Sequence, residues 1–176
     1  MEKAIEKSEL FYQLLAEGAD EKSLNWIRIQ GEKIEKSGDS NSLFISFSQA
    51  SRYFKKVSIN LSENFETKIH SNYANLELSY WNLLQIARTY LVMKLPLEKE
   101  TWFKTINQLF ETGDLYEQQA LFAALPVLPF QTELIPRAID GLRTNISVVF
   151  DAIALNNPFP SIYFPEANWN QMVLKA

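Results

Sequence analysis

The densest group of side chains that could bind a ligand lies in the segment PRAIDGLRTN. It contains Arg137, Asp140, Arg143 and Asn145 within little more than two helical turns. Arginine guanidiniums bind carboxylates and phosphates through paired hydrogen bonds, so these side chains could line a pocket for an anionic compound. Asp140 lies three residues from each arginine and could equally pair with either one in a semi-buried network that joins helices. The sequence leaves both interpretations open.

Arg88 could join this group from another helix, because it lies on the otherwise apolar face of the segment from Trp81 to Leu91. Gly141 stands in the middle of the predicted helix, where glycine costs about 1 kcal/mol relative to alanine. A glycine in such a position usually indicates that another element packs tightly against it.

A second candidate region is the segment NNPFPSIYFPEANWNQMVLK near the end of the chain. Its candidates for binding a ligand or a partner protein are Asn157, Tyr163, Trp169, Asn170 and Lys175. The asparagines can satisfy carbonyl groups at a helix end, and three prolines fix the path of the following loop. The aromatic side chains either pack into the core of the protein or form an exposed patch for a partner.

Residue types that common catalytic sites require are scarce. The chain has no cysteine, which excludes disulfides, thiolate metal sites and cysteine nucleophiles. Its single histidine, His70, follows Glu66 by four residues, but two ligands do not make a zinc site. A Ser-His-Asp triad would need His70, and no nucleophile-elbow motif is present. We therefore predict no catalytic residue, no metal site and no cofactor, with a carboxylate-only magnesium site left open.

Composition and charge favour one globular domain that spans residues 1–176. Apolar residues make up 47% of the chain and charged residues 22%, as in ordinary folded proteins. Lys and Arg number 17 against 21 Asp and Glu, and many lysines alternate with glutamates. Proteins that bind duplex nucleic acid usually carry a clustered basic excess, so we expect no nucleic-acid partner.

No segment has the pattern of a signal peptide or of a membrane-spanning helix. The N-terminus, MEKAIEKSEL, is charged and lacks an apolar core segment. The longest charge-free stretch, Gln118–Thr132, contains two prolines and is shorter than the ~20 apolar residues that a spanning helix needs. We expect a cytoplasmic protein that does not span a membrane.

Hydrophobic residues recur with helical spacing along most of the chain, and no run of strands is indicated. One stripe combines Ile5, Tyr12 and Leu15, with Phe11 and Leu14 beside them. The segment Leu43–Phe47 also alternates like a strand, but a longer window favours a helix. Residues 58–75 give the weakest pattern. We predict an all-α domain of about eight to nine helices, with antiparallel helix pairs stacked as a bundle or a short HEAT- or TPR-like α-solenoid.

Local signals indicate where several helices begin. Asp20 and Asp114 are predicted N-caps, and Asp114 forms a capping box with Glu117. Thr132 is predicted to cap a later helix, and Asn145 either restarts or continues it. A final helix is predicted to begin at Pro165.

The C-terminal third resembles the EboA-domain family. The segments that carry the resemblance are LPVLPF at 125–130, RAIDGLRTNISVVFDAIALNNPFP at 137–160 and IYFPEANWNQMVLKA at 162–176. Residues 46–56 and 80–96 are compatible with the same family. Phe159 stands where the family commonly has tyrosine, and Asp140 where glutamate is frequent. Because chains of the family normally continue further, we expect that a C-terminal extension is missing.

The resemblance implies a small cytoplasmic bacterial protein encoded in a cluster of biosynthetic and prenyltransferase-like genes. In cyanobacteria that cluster is associated with moving a secondary-metabolite precursor, a scytonemin monomer, out of the cytoplasm. The resemblance transfers no catalytic residues to this chain.

Three functions are compatible with the residues and the resemblance. The first is a non-enzymatic accessory or scaffold protein that binds other proteins of the same gene cluster, together with a small metabolite. The second is a metabolite-binding protein or enzyme in which Arg88, Arg137 and Arg143 hold an anionic or aromatic compound. The third is a helical-repeat adaptor unrelated to metabolism.

Overall fold

Helices make up almost all of the regular structure in the computed structural model, which describes residues 2–176 and their side chains from Lys7 onward. The predicted all-α class is confirmed. The α-helices are α1 (Glu2–Ala16), α2 (Glu21–Ser37), α3 (Ser40–Gln49), α4 (Glu63–Asn72), α5 (Leu83–Met93), α6 (Lys99–Thr112), α7 (Leu115–Ala123), α8 (Gln131–Leu142), α9 (Ser147–Ala154), α10 (Phe159–Tyr163) and α11 (Glu166–Lys175). Short 3-10 helices span Ala50–Arg52, Leu78–Tyr80 and Leu125–Val127.

The predicted number of eight to nine helices is too low for residues 2–176, which form eleven α-helices. One of the additional helices is α4, which lies in the weakly patterned stretch 58–75. Another is the five-residue α10, which begins directly after Pro158. Proline is tolerated at a helix start, so the proline-rich loop contains a helix of its own. The predicted stripe at Ile5 lies outside the described side chains.

Two predicted caps and the ambiguous segment agree with the structure. The Asp20 side chain accepts a hydrogen bond from the backbone N–H of Ser23 at the start of α2. Asp114 and Glu117 form the predicted capping box at the start of α7. The segment Leu43–Phe47 lies within α3, so its helical interpretation is confirmed.

Two predicted helix starts are wrong by one or two residues. Thr132 does not cap α8, because that helix already begins at Gln131 and its N-cap position is Phe130. Asn145 does not begin α9, whose N-cap is Ile146. Thr144 Oγ1 instead accepts a hydrogen bond from the Ile146 N–H, at 3.1 Å.

Helix α5 is the centre of the bundle, because every residue from Leu83 to Val92 is buried. It contacts α1, α2 and α3 from the N-terminal half and α7 from the C-terminal half. In a solenoid each repeat contacts only its neighbours along the chain. Packing on a shared central helix favours a bundle.

The C-terminal helices pack on α7, and Gly141 makes this possible. A Cβ atom at Gly141 would lie 2.6 Å from the Ile153 side chain and 2.6 Å from the Phe122 ring. The predicted tight packing at this glycine is therefore present. Helix α8 packs against α9, and α9 packs against α7.

Within residues 2–176, no helix combines the length and apolar character that crossing a membrane requires.

Candidate functional site

Arg137 in α8 and Arg143 at its C-terminal end do not form the predicted semi-buried network around Asp140. Arg143 Nη1 donates to Asp140 Oδ1 at 3.0 Å, but the two side chains are 72% and 61% exposed. Arg137 does not pair with Asp140. Its Nη2 instead donates to Asn107 Oδ1 at 2.9 Å and to Glu111 Oε1 at 3.3 Å, which ties α8 to α6.

Arg88 lies elsewhere, in the buried centre of the bundle. Its side chain is 2% exposed, and Nη2 lies 3.5 Å from Glu117 Oε1. Nε donates to the carbonyl oxygen of Phe47 at 3.1 Å, whereas Nη1 has no hydrogen-bond partner in the part of the chain that the structure describes. Burial lowers the pKa of Arg88, and the negative charges of Glu117 and Asp114 oppose that effect.

The three arginines are therefore engaged with three different sets of partners. None of them lines the surface grooves that lie beside Gly18, Trp81, Pro158 and Lys175. The three guanidiniums therefore do not converge on any of these grooves.

Asn157 has a structural position at the end of α9. Its Nδ2 donates to the carbonyl oxygens of Ala152 at 2.8 Å and Phe122 at 3.2 Å. Its Oδ1 accepts from the Phe159 N–H at 2.9 Å, which holds the start of α10. The nitrogen and the oxygen of the Asn157 amide are therefore both hydrogen-bonded, as the helix-end interpretation requires.

Asn145 and Lys175 line a shallow groove of about 330 Å³ near the ends of α8 and α11. Lys175 Nζ donates to the carbonyl oxygens of Leu142 at 2.6 Å and Thr144 at 2.5 Å. A lysine ammonium near the C-terminus of a helix can satisfy the last carbonyl groups of that helix, and Lys175 does so at the end of α8. The Lys175 ammonium is therefore already engaged.

Trp169 and Asn170 lie on the outer side of α11. Met172 is the only residue of this helix that is buried. Trp169 is 38% exposed, and Leu174 on the same helix is 89% exposed. The aromatic residues thus divide between the two predicted environments, since Phe159 is fully buried.

Tyr163 faces the most promising groove, which we call the proline–aromatic groove. It has a volume of about 360 Å³ and is lined by Lys7, by residues 72–74 after α4, by residues 126–131 between α7 and α8, and by residues 158–159 and 162–163 of the α10 region. Residues 126–131 and 158–163 are distant in sequence, and tertiary packing makes them opposite parts of one concave surface.

Hydrogen bonds fix the geometry between these two segments. Tyr163 Oη donates to Gln131 Oε1 at 2.5 Å. Gln131 Nε2 in turn donates to the carbonyl oxygen of Pro126 at 2.6 Å. The bridge links the α10 region to the α7–α8 turn.

Phe130 adopts an unusual backbone conformation at the edge of this groove. Its φ angle of 56° lies in the left-handed region, which a phenylalanine rarely occupies. Its ring packs against Trp102 and Phe103, with centroid distances of 5.4 and 5.5 Å. Backbone strain of this kind is maintained by surrounding packing and is common at binding sites.

Tyr73 and Lys7 belong to another part of the groove lining. Tyr73 is 7% exposed, and its buried hydroxyl has no hydrogen-bond partner among the described residues. Burial raises the pKa of Tyr73, so the hydroxyl stays protonated at neutral pH. Lys7 Nζ lies 4.8 Å from the centroid of the Tyr73 ring.

The sequence pattern identified Tyr163 but not Lys7, Tyr73, Phe130 or Gln131. The run LPVLPF predicted a rigid turn, and nothing in the sequence indicates which distant residues would face it. Its density of proline and aromatic residues was the available signal.

The single histidine has no metal-binding surroundings. His70 Nε2 lies 3.5 Å from Glu77 Oε1 on the protein surface, and both side chains are about half exposed. Among the described side chains, from Lys7 onward, no group of three or more His, Cys, Asp or Glu residues is placed to hold a metal ion.

Comparison with known proteins places the chain in a family. A family model described as "Metabolite traffic protein EboA" matches residues 7–176. No curated protein matches the chain, and no solved structure does. The family match covers essentially all of the sequence, including both segments that form the proline–aromatic groove, and the chain therefore belongs to the EboA family.

Proposed function

We propose that this protein is a non-enzymatic accessory protein that binds a small aromatic metabolite in the proline–aromatic groove and passes it to a partner protein. The observation that carries the proposal is that residues 126–131 and 158–163, both from segments on which the family resemblance rests, form walls of the same groove. The family description supports a role in metabolite handling.

The groove has the size and surface that such a ligand needs. Its volume of about 360 Å³ falls within the usual ~300–1,000 Å³ of small-molecule sites. Half of its fourteen lining residues are proline or aromatic, and Lys7, Asn72 and Gln131 add polar side chains. Aromatic walls bind flat rings through burial and through offset or edge-to-face contacts.

The alternative of an arginine-lined pocket has less support. Arg88, Arg137 and Arg143 are paired with Glu117, Glu111 and Asp140. A ligand at any of them would compete with an existing ion pair. The proline–aromatic groove needs no such exchange.

The partner is proposed to be another protein of the same gene cluster, in a pathway that handles or exports a secondary-metabolite precursor. The outer face of α11 supports such an interaction, because Trp169, Val173 and Leu174 are exposed there. Exposed aromatic and aliphatic residues grouped on one helix are typical of protein interfaces.

Ligand binding can be tested by filling the groove. Ala74 lines it and is exposed, so Ala74→Trp adds bulk without disturbing the core. We expect the wild-type protein to bind small aromatic compounds in a thermal-shift screen followed by calorimetry, and Ala74→Trp to lose that binding.

Ala16→Trp is the matched control, since Ala16 is exposed and does not line the groove. Equal binding by both variants, or no binding of any aromatic compound by the wild type, would contradict a groove-based metabolite function. A partner that binds the protein while no ligand does would instead favour the adaptor function.

Partner binding can be tested by pairwise co-purification with each protein encoded beside this one. We expect Leu174→Glu to abolish recovery of the partner, because it places a charge in an apolar interface. Leu97→Glu is the control, since Leu97 is also exposed but lies in the loop before α6. Recovery of no partner, or of the same amount with both variants, would remove this part of the proposal.

A further inference from the structure

The proline–aromatic groove carries donors and positive charge on one side and no acidic residue among the described residues that line it. From this arrangement we infer that its occupant is an aromatic compound that bears a carboxylate. The inference rests on the proposed function, because it specifies the ligand class of the same groove.

The first observation is a buried donor without an acceptor. Tyr73 lines the groove, and its hydroxyl is more than nine-tenths buried and has no partner among the described residues. A protonated phenol in this position needs an acceptor, because leaving a buried polar group unpaired is unfavourable. A ligand oxygen that reaches it would satisfy the hydroxyl.

The second observation is the positive charge beside Tyr73. Lys7 is the only charged residue among the described residues of the groove lining. Its ammonium lies over the Tyr73 ring, and no carboxylate among the described side chains pairs with it. A ligand carboxylate could therefore accept from the Tyr73 hydroxyl and lie near the Lys7 ammonium at once.

The N-terminus of α8 adds to the same electrostatic preference. This helix of 12 residues begins at Gln131 in the groove wall, and no side chain caps it. Helices α4, α9, α10 and α11 likewise have no side-chain cap, whereas α2, α3, α5, α6 and α7 each have one. The first amides of an uncapped helix carry a partial positive charge that favours anions.

The remaining walls specify the other part of the ligand. The partly exposed Pro129 and Phe130 and the exposed Ile162 offer apolar surface in the groove, and Pro126, Pro158 and Phe159 are buried beside them. The prolines restrict the backbone geometry of these walls. A flat ring fits such surfaces better than a flexible chain, since it loses less conformational entropy on binding. The ligand class is therefore an aryl carboxylate.

Three probes that share one ring system separate the contribution of the ligand's charge to binding from the contribution of its aromatic ring. Naphthoate, naphthamide and naphthylmethylammonium differ in charge but have the same aromatic part. We expect the full chain to bind naphthoate roughly tenfold more tightly than naphthamide in isothermal titration, because hydrogen bonds to charged groups are the stronger ones. We expect naphthylmethylammonium to bind most weakly.

Two conservative variants test the named donors. We expect Tyr73→Phe and Lys7→Gln each to weaken naphthoate binding by roughly tenfold and to leave naphthamide binding nearly unchanged. Lys104→Gln is the control, because Lys104 is an exposed lysine of α6 outside the groove lining. Since Tyr73→Phe removes only an unpaired hydroxyl, the variant should stay folded, and a circular-dichroism melt verifies this.

The outcomes distinguish this inference from the proposed function. If naphthoate and naphthamide bind equally and Ala74→Trp abolishes both, the groove binds aromatic compounds and the carboxylate inference is wrong. If all three probes fail to bind, or if binding survives Ala74→Trp, the proposed function and the carboxylate inference are both wrong. A preference for naphthoate that persists in Tyr73→Phe and Lys7→Gln overturns the assignment of the donors.

Discussion

At the residue scale, the ion pair between Arg88 and Glu117 connects the two halves of the bundle. Arg88 belongs to α5 and Glu117 to α7, and Arg88 also reaches the carbonyl oxygen of Phe47 at the end of α3. A buried pair costs desolvation when it forms, so its net contribution to stability is small. Removal of one partner is different, because an unpaired charge is then left in the core.

We predict that Glu117→Gln lowers the free energy of unfolding by about 3 kcal/mol, since Arg88 loses its counter-charge. The glutamine can still accept from the Asp114 N–H, so the capping box is retained. Urea unfolding at neutral pH measures the change.

Asp140→Asn provides the comparison, because Asp140 pairs with Arg143 on the surface. Exposed ion pairs contribute little to stability, so this variant should unfold at the wild-type urea concentration. A loss of equal size in the two variants would show that the burial of Arg88 does not determine the effect.

At the element scale, side-chain caps define where five of the helices begin. Asp20 at the start of α2 accepts from the Ser23 N–H at 2.8 Å. That backbone hydrogen bond is the largest cause of the lowered pKa of Asp20. The cap is thus strongest while the carboxyl is ionised, because the negative charge also interacts with the helix dipole.

The lowered pKa predicts a pH dependence of known sign. A carboxyl whose pKa is lower in the folded state contributes stability above its ordinary value of 3.8 and loses it as the pH falls through the folded-state pKa. Wild type should therefore exceed Asp20→Asn in stability at neutral pH, and the difference should shrink below about pH 4.

Urea unfolding of both proteins across the acid range measures this difference. Asparagine is a good N-cap whose side chain does not titrate, so it preserves the hydrogen bond while removing the charge. A difference that stays constant down to low pH would contradict a role for ionised Asp20.

At the scale of the whole molecule, stability should be highest at α5 and lowest at α11. Helix α5 is buried from Leu83 to Val92 and contacts helices on several sides. Helix α11 buries only Met172. Regions with few buried apolar contacts open locally at a small cost in free energy.

Hydrogen exchange followed by mass spectrometry should therefore show the slowest exchange in peptides from α5 and fast exchange in those from α11. Addition of the partner protein should slow exchange in α11, if that helix forms the interface. Equal protection of α5 and α11 in the isolated protein would contradict this order of local stability.

Features that depend on local chemistry could be predicted from the sequence. Asp114 and Glu117 form a capping box because the interaction needs only a spacing of three residues. The tight packing at Gly141 followed from the cost of glycine in a helix. The all-α class followed in the same way from the spacing of apolar residues.

Tertiary structure decided which distant residues meet. Arg88 pairs with Glu117 rather than with the α8 arginines because α5 packs on α7. The proline–aromatic groove forms because residues 72–74, 126–131 and 158–163 converge on one surface. Sequence periodicity determines which face of a helix is apolar, but it does not determine which neighbour covers that face, since many partners bury apolar area equally well.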